Sequence, residues 1–356
     1  MITTGGTGGH VFPGLAVADA LAARGARVFW LGTREGLEAT LVPRHGVAFE
    51  SLSFRGVRGK GLATLLLGPF ALIAACIEAW SVIRRRKPDV VLGLGGFASF
   101  PGALMGVASG RPLAVHDANA VAGLANRVLA YGADRVLLGF PDALGGRHAK
   151  IVVWTGNPLR VAIAALPPPA ERFAGRAGPL RLLVVGGSLG AQGLNERVPA
   201  ALARLPHDAR PQVVHQAGAK HIDALTAAYR DAGVVAECVA FIDDMAARYA
   251  WADVAIARGG ALTVSELAAV GLGALIVPLP GAIADEQTAN ADFLVRAGAA
   301  KRIAQDDLTP ERLAAEIAAL DRAQALAWST AARAVGRTDA AARVVDACLA
   351  LAEAKR

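Results

Sequence analysis

Cysteine and aromatic residues are scarce in this chain of 356 residues. The three cysteines, Cys76, Cys238 and Cys348, are far apart and odd in number, so they indicate buried thiols in a reducing compartment and argue against a disulfide framework. Aromatic residues make up 5% of the chain, whereas hydrophobic residues as a whole make up 54%. A core of small aliphatic side chains is typical of α/β layers with buried parallel strands, and the length favours two domains.

Several signature motifs are also missing. Neither half of the chain contains a GxGxxG followed by an acidic residue about 20 positions later, which argues against a nicotinamide enzyme. The absence of GxxxxGK[ST] argues against a P-loop, and the absence of HExxH or a close set of His and Cys argues against a metal site. The sequence contains no charged segment followed by an apolar core and a cleavage site, so we do not expect the protein to be secreted. We therefore expect no metal and no cofactor, and are left with glycine loops that bind phosphate.

Basic residues are concentrated in the first half of the chain. Residues 1–160 contain 17 Lys and Arg against 9 Asp and Glu, a balance of +8, whereas residues 161–356 contain 20 against 21, a balance of −1. A basic half predicts an anionic partner, either a nucleic acid or an anionic membrane. The basic residues lack interleaved aromatics, and no nucleic-acid-binding motif is present. We therefore expect a membrane and no nucleic acid.

The longest apolar run, residues 62–83, is flanked by the basic segments RGVRGK (55–60) and RRRK (84–87). The run is long enough to cross a bilayer, but Gly68 and Pro69 interrupt it and Glu78 lies within it. This pattern favours helices that dock on a membrane surface over a spanning helix, and the basic ends favour anionic lipids. An ordinary buried helix pair is an equally compatible interpretation.

The remaining pattern alternates between strands and helices, and it occurs twice. The first half predicts strands at 27–31, 48–54, 89–93, 113–116, 135–138 and 151–153. After a turn in TGNPLR (155–160) the second half predicts strands at 181–185, 213–215, 255–257 and 275–277. The last stretch, 340–354, predicts an amphipathic helix. Each half opens on a glycine-rich turn, as in nucleotide-binding folds.

The first of these turns, GGTGGHVFPG (5–14), combines four glycines with His10. Glycines let backbone N–H groups approach a ligand, and the following helix presents a partial positive charge. His10 lies where an imidazole can take a proton from a bound group. A tight strand-to-helix turn with a surface histidine is the alternative.

The second half supplies groups suited to a nucleotide sugar. Ser188 and the N–H groups of Gly187 and Gly190, in GGSLGAQGLN (186–195), are candidates to hold a diphosphate. Glu266, in ARGGALTVSELAAVG (257–271), is a candidate for a ribose diol, with a capped helix as the alternative. The amides of Gln287 and Asn290 suit sugar hydroxyls, and Arg160 suits a phosphate.

Taken together, these motifs resemble glycosyltransferase family 28, bacterial enzymes that transfer N-acetylglucosamine (GlcNAc) from UDP-GlcNAc to lipid I in peptidoglycan synthesis. The resemblance runs from residue 5 nearly to the C-terminus and rests on GGTGGHVFPG, GLGGFASFPG, HDANAVAGLANR, TGNPLR, GGSLGAQGLN, FIDDMAARYAWAD and the RGGALTVSE segment through Gln287. It implies an α/β fold of the GT-B type, with two Rossmann-like doubly wound domains that face a central cleft. Residues 1–158 would form the acceptor and membrane-binding domain, 159–337 the UDP-GlcNAc-binding domain, and 338–356 a helix that packs back on the first domain.

The resemblance also implies roles for individual residues. His10 would be the general base that deprotonates the acceptor 4-hydroxyl, so that a single inverting displacement gives a β1→4 product and UDP. Uracil would lie near Ile242, the ribose at Glu266, and the diphosphate near Ser188 and Arg160. The full set of donor-binding residues would be Thr7, Gly8, Gly9, Asn119, Arg160, Ser188, Ile242, Ala261, Leu262, Thr263, Val264, Ser265, Glu266, Gln287 and Asn290.

The implied partners are UDP-GlcNAc, lipid I and the anionic phospholipids of the inner membrane, with the protein held peripherally on the cytoplasmic side. Residues 62–83 with their basic flanks would be the docking surface. Another UDP-sugar-dependent GT-B enzyme, either a lipid glycosyltransferase or an epimerase, is the alternative. The chain departs from the family pattern at Phe97, where the family usually has Tyr, at His116–Asn119, where it has HEQN, and at Gly259, where it has Ser or Ala. Since the first two departures remove polar contacts on the acceptor side, they affect the expected acceptor pocket more than the donor site.

Overall fold

A computed structural model of the protein describes residues 1–6, 8–54, 62–147, 150–187 and 189–354, apart from the side chains of 62–67 and of residue 283. The chain divides into two compact units. The first consists of Met1–Arg160 together with Thr338–Arg356, and the second of Val161–Arg337.

The first unit contains a parallel sheet that is seven-stranded in the described residues, with the order β3-β2-β1-β4-β5-β6-β7. Its strands are β1 (Ile2–Thr3), β2 (Phe29–Thr33), β3 (Ala48–Leu52), β4 (Val91–Gly93), β5 (Leu113–Asp117), β6 (Arg135–Leu138) and β7 (Val152–Trp154). The helices between them are α1 (Gly8–Ala23), α2 (Glu38–Arg44), α3 (Leu62–Arg86), α4 (Ser99–Ala108) and α5 (Leu124–Leu129). The central strands are buried on both faces, as their apolar sequences predict.

The second unit repeats this plan with a sheet that is six-stranded in the described residues, in the order β10-β9-β8-β11-β12-β13. Its strands are β8 (Arg181–Val185), β9 (Gln212–Gln216), β10 (Glu237–Val239), β11 (Val254–Ala257), β12 (Ala274–Ile276) and β13 (Ala300–Arg302). Its helices are α6 (Val161–Ala164), α7 (Pro169–Phe173), α8 (Gln192–Ala203), α9 (Ile222–Asp231), α10 (Met245–Trp251), α11 (Ala261–Val270), α12 (Glu286–Arg296), α13 (Pro310–Ala318) and α14 (Arg322–Val335).

The last helix, α15 (Ala340–Glu353), belongs to the first unit. Its apolar side chains Val344, Val345 and Cys348 are buried in the same cluster as Val17 and Leu21 of α1. On the surface, Asp346 accepts a hydrogen bond from Arg24 over 3.1 Å. Burial of this apolar face explains why the chain returns to the first unit.

Strand predictions are confirmed where the sequence is continuously apolar, including residues 135–138 and 181–185 at their exact bounds. The edge strands β10 and β13 were not predicted, because their sequences ECV and AKR are short and partly polar. The expected interruption at Gly68 and Pro69 is wrong, since α3 is one helix of 25 residues with Pro69 inside it. Pro69 lies in the eighth position, so only the carbonyl four residues earlier loses its partner there.

The strand orders determine where a ligand can bind. In each sheet the order reverses direction beside the first strand, between β1 and β4 and between β8 and β11. In doubly wound sheets, ligands bind outside the carboxyl ends of the strands at this switch point. The glycine-rich loops after β1, β4, β8 and β11 all lie at these two positions.

Candidate active site

Two glycine loops meet at the switch point of the first unit. We define the first glycine loop as the described residues 4–6, 8 and 9, and the second as residues 94–98. A Cβ atom on Gly96 would lie 2.5 Å from the carbonyl oxygen of Gly5, so only glycine allows this approach. The Thr4 hydroxyl donates a hydrogen bond to the carbonyl of Gly95 over 2.9 Å. The two loops therefore fix each other's position.

His10, in the first turn of α1, lies against these loops. Its Nδ1 is 3.1 Å from the carbonyl oxygen of Leu94. Because a carbonyl only accepts, Nδ1 carries the proton in the neutral ring and Nε2 carries the lone pair. Burial lowers the pKa of His10 below its ordinary value, although Asp117 and the Leu94 carbonyl oppose this shift. A neutral imidazole with a basic Nε2 is the form that a general base requires.

Asp117 anchors the loop that follows β5. One carboxylate oxygen accepts from the N–H of Asn119 over 3.0 Å, and the other accepts from the N–H of Gly123 and the side-chain amide of Asn126, each over 2.9 Å. Burial raises the pKa of Asp117, and these hydrogen bonds and His10 oppose the shift in part. Asp117 is 3% exposed, so its buried carboxylate holds the loop that carries Asn119 through these hydrogen bonds.

His116 and Phe97 occupy two further positions of the expected acceptor pocket. His116 Nε2 lies 3.1 Å from the carbonyl oxygen of Gly156, and burial lowers the pKa of this histidine to about 4. Phe97 is 40% exposed, and its ring centroid is 5.9 Å from that of Phe54. At the position where the family pattern has a tyrosine hydroxyl, this chain therefore presents the exposed apolar ring of Phe97.

A cavity of about 460 Å³ opens at the switch point of the second unit. Residues from the loops after β8, β11 and β12, from the segment after β13 and from α8, α11 and α12 line it, and they include the predicted Gly187, Gly190, Thr263 and Gln287. It also contains residues that sequence reasoning missed, namely Gln192, Glu196, Arg197, Arg258, Leu279 and Gln305. The cavity therefore combines glycine backbone with cationic and amide side chains and with the carboxylate of Glu196, which forms a 3.5 Å ion pair with Arg197.

The third glycine loop, which we define as the described residues 186–187 and 189–191, forms one wall of this cavity. Gly190 has a φ of +77°, and a Cβ atom there would overlap with the carbonyl oxygen of Ala217. The loop leads into α8, whose N-cap residue Ala191 makes no side-chain capping hydrogen bond. The first N–H groups of α8 are thus a natural site for an anion.

Arg258 supplies positive charge to the same cavity and is only 8% exposed. Its guanidinium donates to the carbonyl oxygens of Val277 and Pro278 over 3.1 and 3.3 Å, and to the side-chain oxygen of Gln305 over 2.6 Å. Burial, followed by repulsion from Arg197, lowers the pKa of Arg258 below its ordinary value. Two neighbouring guanidiniums favour an anionic ligand with several oxygens.

Glu266 is oriented by a residue that the sequence did not reveal. The hydroxyl of Tyr249, which is fully buried, donates a hydrogen bond to Oε2 of Glu266 over 2.9 Å. Tyr249 comes from α10 and Glu266 from α11, so the contact depends on helix packing. Such a contact fixes the carboxylate of Glu266 in one rotamer.

Hydrogen bonds to the backbone of neighbouring loops hold the segment around Gln287 in place. Gln287 accepts from the N–H of Leu279 over 2.9 Å and lines the cavity. Asn290 is fully buried and donates to the carbonyl of Gly259 over 3.1 Å, so its side chain does not reach the cavity surface. A Cβ atom on Gly259 would overlap with the Gln287 carbonyl oxygen, which explains why this chain has glycine there.

The other predicted residues lie as follows. Thr7 and Ser188 are outside the described residues. Gly8 and Gly9 begin α1, and the guanidinium of Arg160 lies 5.6 Å from the ring centroid of Phe12. Ile242 is half-buried in the loop after β10. On α11, Ala261, Leu262 and Ser265 are half-buried, whereas the side chain of Val264 points into the core. In the described residues, no group of three or more His, Cys, Asp or Glu is placed to hold a metal ion.

The described face of α3 is apolar and exposed. Phe70, Ile73 and Ile77 are 70%, 57% and 65% exposed. An apolar groove of about 360 Å³ lies beside them, lined by Leu72, Ile73, Cys76, Ile77, Trp80, Leu104 and Met105. We call this surface the α3 face.

The basic end of α3 is partly neutralised. Arg85 and Arg86 each form a 2.8 Å ion pair with Glu50, while the guanidinium of Arg84 lies 6.0 Å from the Trp80 ring centroid. The RRRK segment therefore carries less free charge than its sequence suggests. None of the helices in the described ranges has both the length and the apolar character needed to cross a membrane.

Two family models cover most of the chain. The glycosyltransferase family 28 N-terminal domain matches residues 1–138, and the family 28 C-terminal domain matches residues 181–344. A UDP-N-acetylglucosamine–N-acetylmuramyl-(pentapeptide) pyrophosphoryl-undecaprenol N-acetylglucosamine transferase from Ralstonia nicotianae is 54% identical, over 99% of this chain and 96% of that protein.

Solved structures agree with these sequence matches. The crystal structure of Acinetobacter baumannii MurG has a TM-score of 0.84 and 37% identity, covering 98% of this chain and 99% of that one. A UDP-N-acetylglucosamine 2-epimerase, with a TM-score of 0.65 and 16% identity over 100% of this chain and 96% of its own, shares the fold alone.

The two Rossmann-like units, each with glycine loops at its switch point, define a glycosyltransferase of the GT-B class. The chain belongs to glycosyltransferase family 28, and within it to the family of the N-acetylmuramyl-(pentapeptide) pyrophosphoryl-undecaprenol N-acetylglucosamine transferases.

Proposed function

We propose that this protein is an inverting hexosyltransferase that moves GlcNAc from UDP-GlcNAc to the 4-hydroxyl of the N-acetylmuramyl group of lipid I. The products are lipid II, with a new β1→4 bond, and UDP. The observation that carries the proposal is the 54% identity, over nearly the whole chain, to a relative named for this transfer. The positions of His10 and of the cavity in the second unit are consistent with it.

The donor occupies the cavity of the second unit. Its diphosphate lies against the third glycine loop and the first N–H groups of α8, where the two guanidiniums of Arg197 and Arg258 add positive charge. The ribose diol is held by the carboxylate of Glu266, which Tyr249 orients. The guanidiniums and the first N–H groups of α8 also stabilise the negative charge that develops on the leaving UDP.

His10 takes the proton from the acceptor. Its Nε2 lone pair accepts the proton of the 4-hydroxyl, and the resulting nucleophile attacks the anomeric carbon as the bond to the UDP oxygen breaks. The hydrogen bond from Nδ1 to Leu94 supports the ring as it becomes positively charged. Attack opposite the leaving group converts the α-linked donor into a β-linked product.

For Asn290 we propose a role different from the one that the sequence suggested. In place of a direct contact with the sugar, we propose that Asn290 holds the Gly259 carbonyl and thereby the segment next to Gln287. The direct donor contacts of the other predicted residues stay predictions: Thr7, Gly8, Gly9, Asn119, Arg160, Ser188, Ile242, Ala261, Leu262, Thr263, Val264 and Ser265.

The acceptor's lipid chain stays in the membrane, and the α3 face docks the protein on it. Exposed Phe70, Ile73 and Ile77 enter the acyl boundary, and Arg84 meets anionic headgroups. This peripheral attachment on the cytoplasmic side of the inner membrane fits an enzyme whose acceptor is a membrane lipid.

Ligand-induced melting shifts test the class of donor. UDP-GlcNAc at about 100 times its dissociation constant stabilises the native protein by about 2.7 kcal/mol, which raises the melting temperature by several degrees. Single-stranded DNA at moderate salt gives no shift if the partner is not a nucleic acid. Incubation of UDP-GlcNAc without acceptor separates the alternative, because an epimerase converts the nucleotide sugar on its own and a transferase leaves it intact.

A further inference from the structure

Glu38, the first residue of α2, is a fully buried carboxylate outside the residues discussed so far. Its Oε1 accepts hydrogen bonds from the N–H and the hydroxyl of Thr33, over 2.9 and 2.7 Å. Its Oε2 accepts one from the N–H of Gly6, over 3.0 Å. Burying a carboxylate is costly unless donors surround it, so this arrangement has to be specifically built.

Three glycines from separate segments make room for this side chain. Cβ atoms on Gly5 and Gly36 would overlap with the carboxylate, and one on Gly32 would lie 2.6 Å from its Cγ. A side chain at any of these positions would force Glu38 to move from its observed position. The Glu38 side chain therefore fills the space that side chains at these three positions would occupy.

The contact with Gly6 connects Glu38 to the first glycine loop. Gly6 has a φ of +105° and lies two residues before the start of α1, which carries His10. On its other side the loop touches Gly96 through the Gly5 carbonyl. The loop is thus held between Glu38 and the second glycine loop, and its position sets that of the imidazole.

We propose that Glu38 is a positioning residue for the transfer reaction, which acts by holding the Gly6 N–H and thereby the first glycine loop with His10. This inference rests on the proposed function of His10 as the base. The competing explanation is that Glu38 only stabilises the connection between β2 and α2 through Thr33.

The isosteric variant Glu38→Gln separates these explanations because all three partners of the carboxylate are donors. A glutamine amide has one accepting oxygen and one donating NH₂ group. The glutamine oxygen turns to Thr33, whose N–H and hydroxyl are both donors, and the NH₂ group then faces the N–H of Gly6. The loop contact is lost while the contact with Thr33 remains.

Thr33→Val is the matched control. It removes the hydroxyl hydrogen bond to the same carboxylate but leaves the Gly6 bond in place. The double variant Glu38→Gln/Thr33→Val is more informative still, because the glutamine oxygen no longer has two donors on the Thr33 side. It can then turn back to Gly6, so the second change partly repairs the first.

The test combines hydrogen exchange at the Gly6 amide with turnover of UDP-GlcNAc and a lipid I analogue by the full chain. For Glu38→Gln we expect faster Gly6 exchange and a kcat lower by about 10- to 100-fold, since small misplacements of catalytic groups cost this much. UDP affinity should stay within about twofold, because the cavity of the second unit is unchanged. Thr33→Val should resemble the wild type in both readouts, and the double variant should recover part of the kcat and of the Gly6 protection.

Unchanged Gly6 exchange or a wild-type kcat in Glu38→Gln overturns the proposal. So does a double variant that falls below Glu38→Gln in kcat, because a merely structural role predicts that two lost contacts are worse than one. If Glu38→Gln does not fold, a Thr33→Val variant with unprotected Gly6 or reduced kcat overturns it equally. Gly6 exchange needs no turnover, so it decides the loop contact even if the wild-type chain transfers no sugar and the proposed function fails.

Discussion

At the scale of single residues, the protonation state of His10 controls the proposed reaction. Because burial lowers the pKa of His10, the neutral form is present at pH 7 and is lost only on acidification. We expect kcat to fall as the pH decreases, with an apparent pKa below the ordinary value of about 6.5 for histidine. A pH profile of kcat at saturating substrates measures this.

The matched variant in that experiment is His10→Ala. Its kcat should be lower by about 100-fold or more and should no longer fall as the pH decreases. Near-normal turnover with the same pH profile would remove His10 from the role of base.

Tyr249 tests whether orientation of Glu266 matters for the donor. Tyr249→Phe removes the hydroxyl that donates to Oε2 of Glu266. We expect the KM for UDP-GlcNAc to rise by about three- to tenfold with a smaller change in kcat, because the ribose contact is made in the ground state and the transition state alike.

Tyr229→Phe provides a control of the same chemistry. Its buried hydroxyl pairs with Nδ1 of His215 over 2.9 Å, and neither residue lines the cavity. Both variants lose one buried hydrogen bond, worth about 1 kcal/mol of stability. Equal KM values for the two would contradict the role given to Tyr249.

At the scale of elements, the third glycine loop must pack backbone against backbone. Gly190→Ala introduces a Cβ atom that overlaps with the Ala217 carbonyl at a position with a φ of +77°. Since the loop has to move, we expect UDP affinity to fall by about tenfold or more. Calorimetric titration with UDP measures this.

Gly233→Ala distinguishes steric overlap from backbone strain. Gly233 also has a positive φ, of +62°, but a Cβ atom there would meet nothing within 4 Å. This variant should lose about 1 kcal/mol of stability and keep its UDP affinity. If it lost affinity as Gly190→Ala does, packing of the loop would not be the cause.

The α3 face predicts binding to anionic vesicles. Ile77→Glu places a charge on a side chain that is 65% exposed within the apolar surface. We expect its partitioning onto vesicles containing phosphatidylglycerol to fall by about tenfold or more, as a carboxylate loses apolar burial and repels the headgroups. Sedimentation with vesicles measures this.

Val235→Glu is the control, because Val235 is 92% exposed but lies on the second unit. It adds the same charge to the protein without touching the α3 face. A loss of vesicle binding equal to that of Ile77→Glu would show that net charge, and not this face, drives attachment.

Elements with strong apolar patterns could be predicted from the sequence, and weak ones could not. The strand at 181–185 has four fully buried apolar residues in succession, whereas β10 and β13 lie at sheet edges and are held by one neighbour each. The length of α3 was misjudged for another reason. Proline in the third turn of this helix loses only one hydrogen bond, and packing of the rest of α3 on α4 compensates for that.

At the scale of the whole molecule, the motifs identified the loops but not the residues that support them. The positions of His10 and Thr263 followed from glycine-rich segments, whereas Gln287 was chosen for its amide side chain and through the resemblance to the family. Tyr249, Arg258 and Glu38 reach their partners from other elements, and only the folded sheet brings them there. Sequence spacing predicts what a loop presents to a ligand, whereas the buried contacts behind the loop depend on tertiary packing.

The most direct test of the account is the release of UDP from UDP-GlcNAc in the presence and absence of a lipid I analogue, with the product bond identified by NMR. The account predicts that UDP appears only with the acceptor, in equal amount to a β1→4-linked disaccharide product, and that His10→Ala slows the formation of both by about 100-fold or more. UDP release without acceptor, conversion of UDP-GlcNAc to an epimer, or an α-linked product would contradict it.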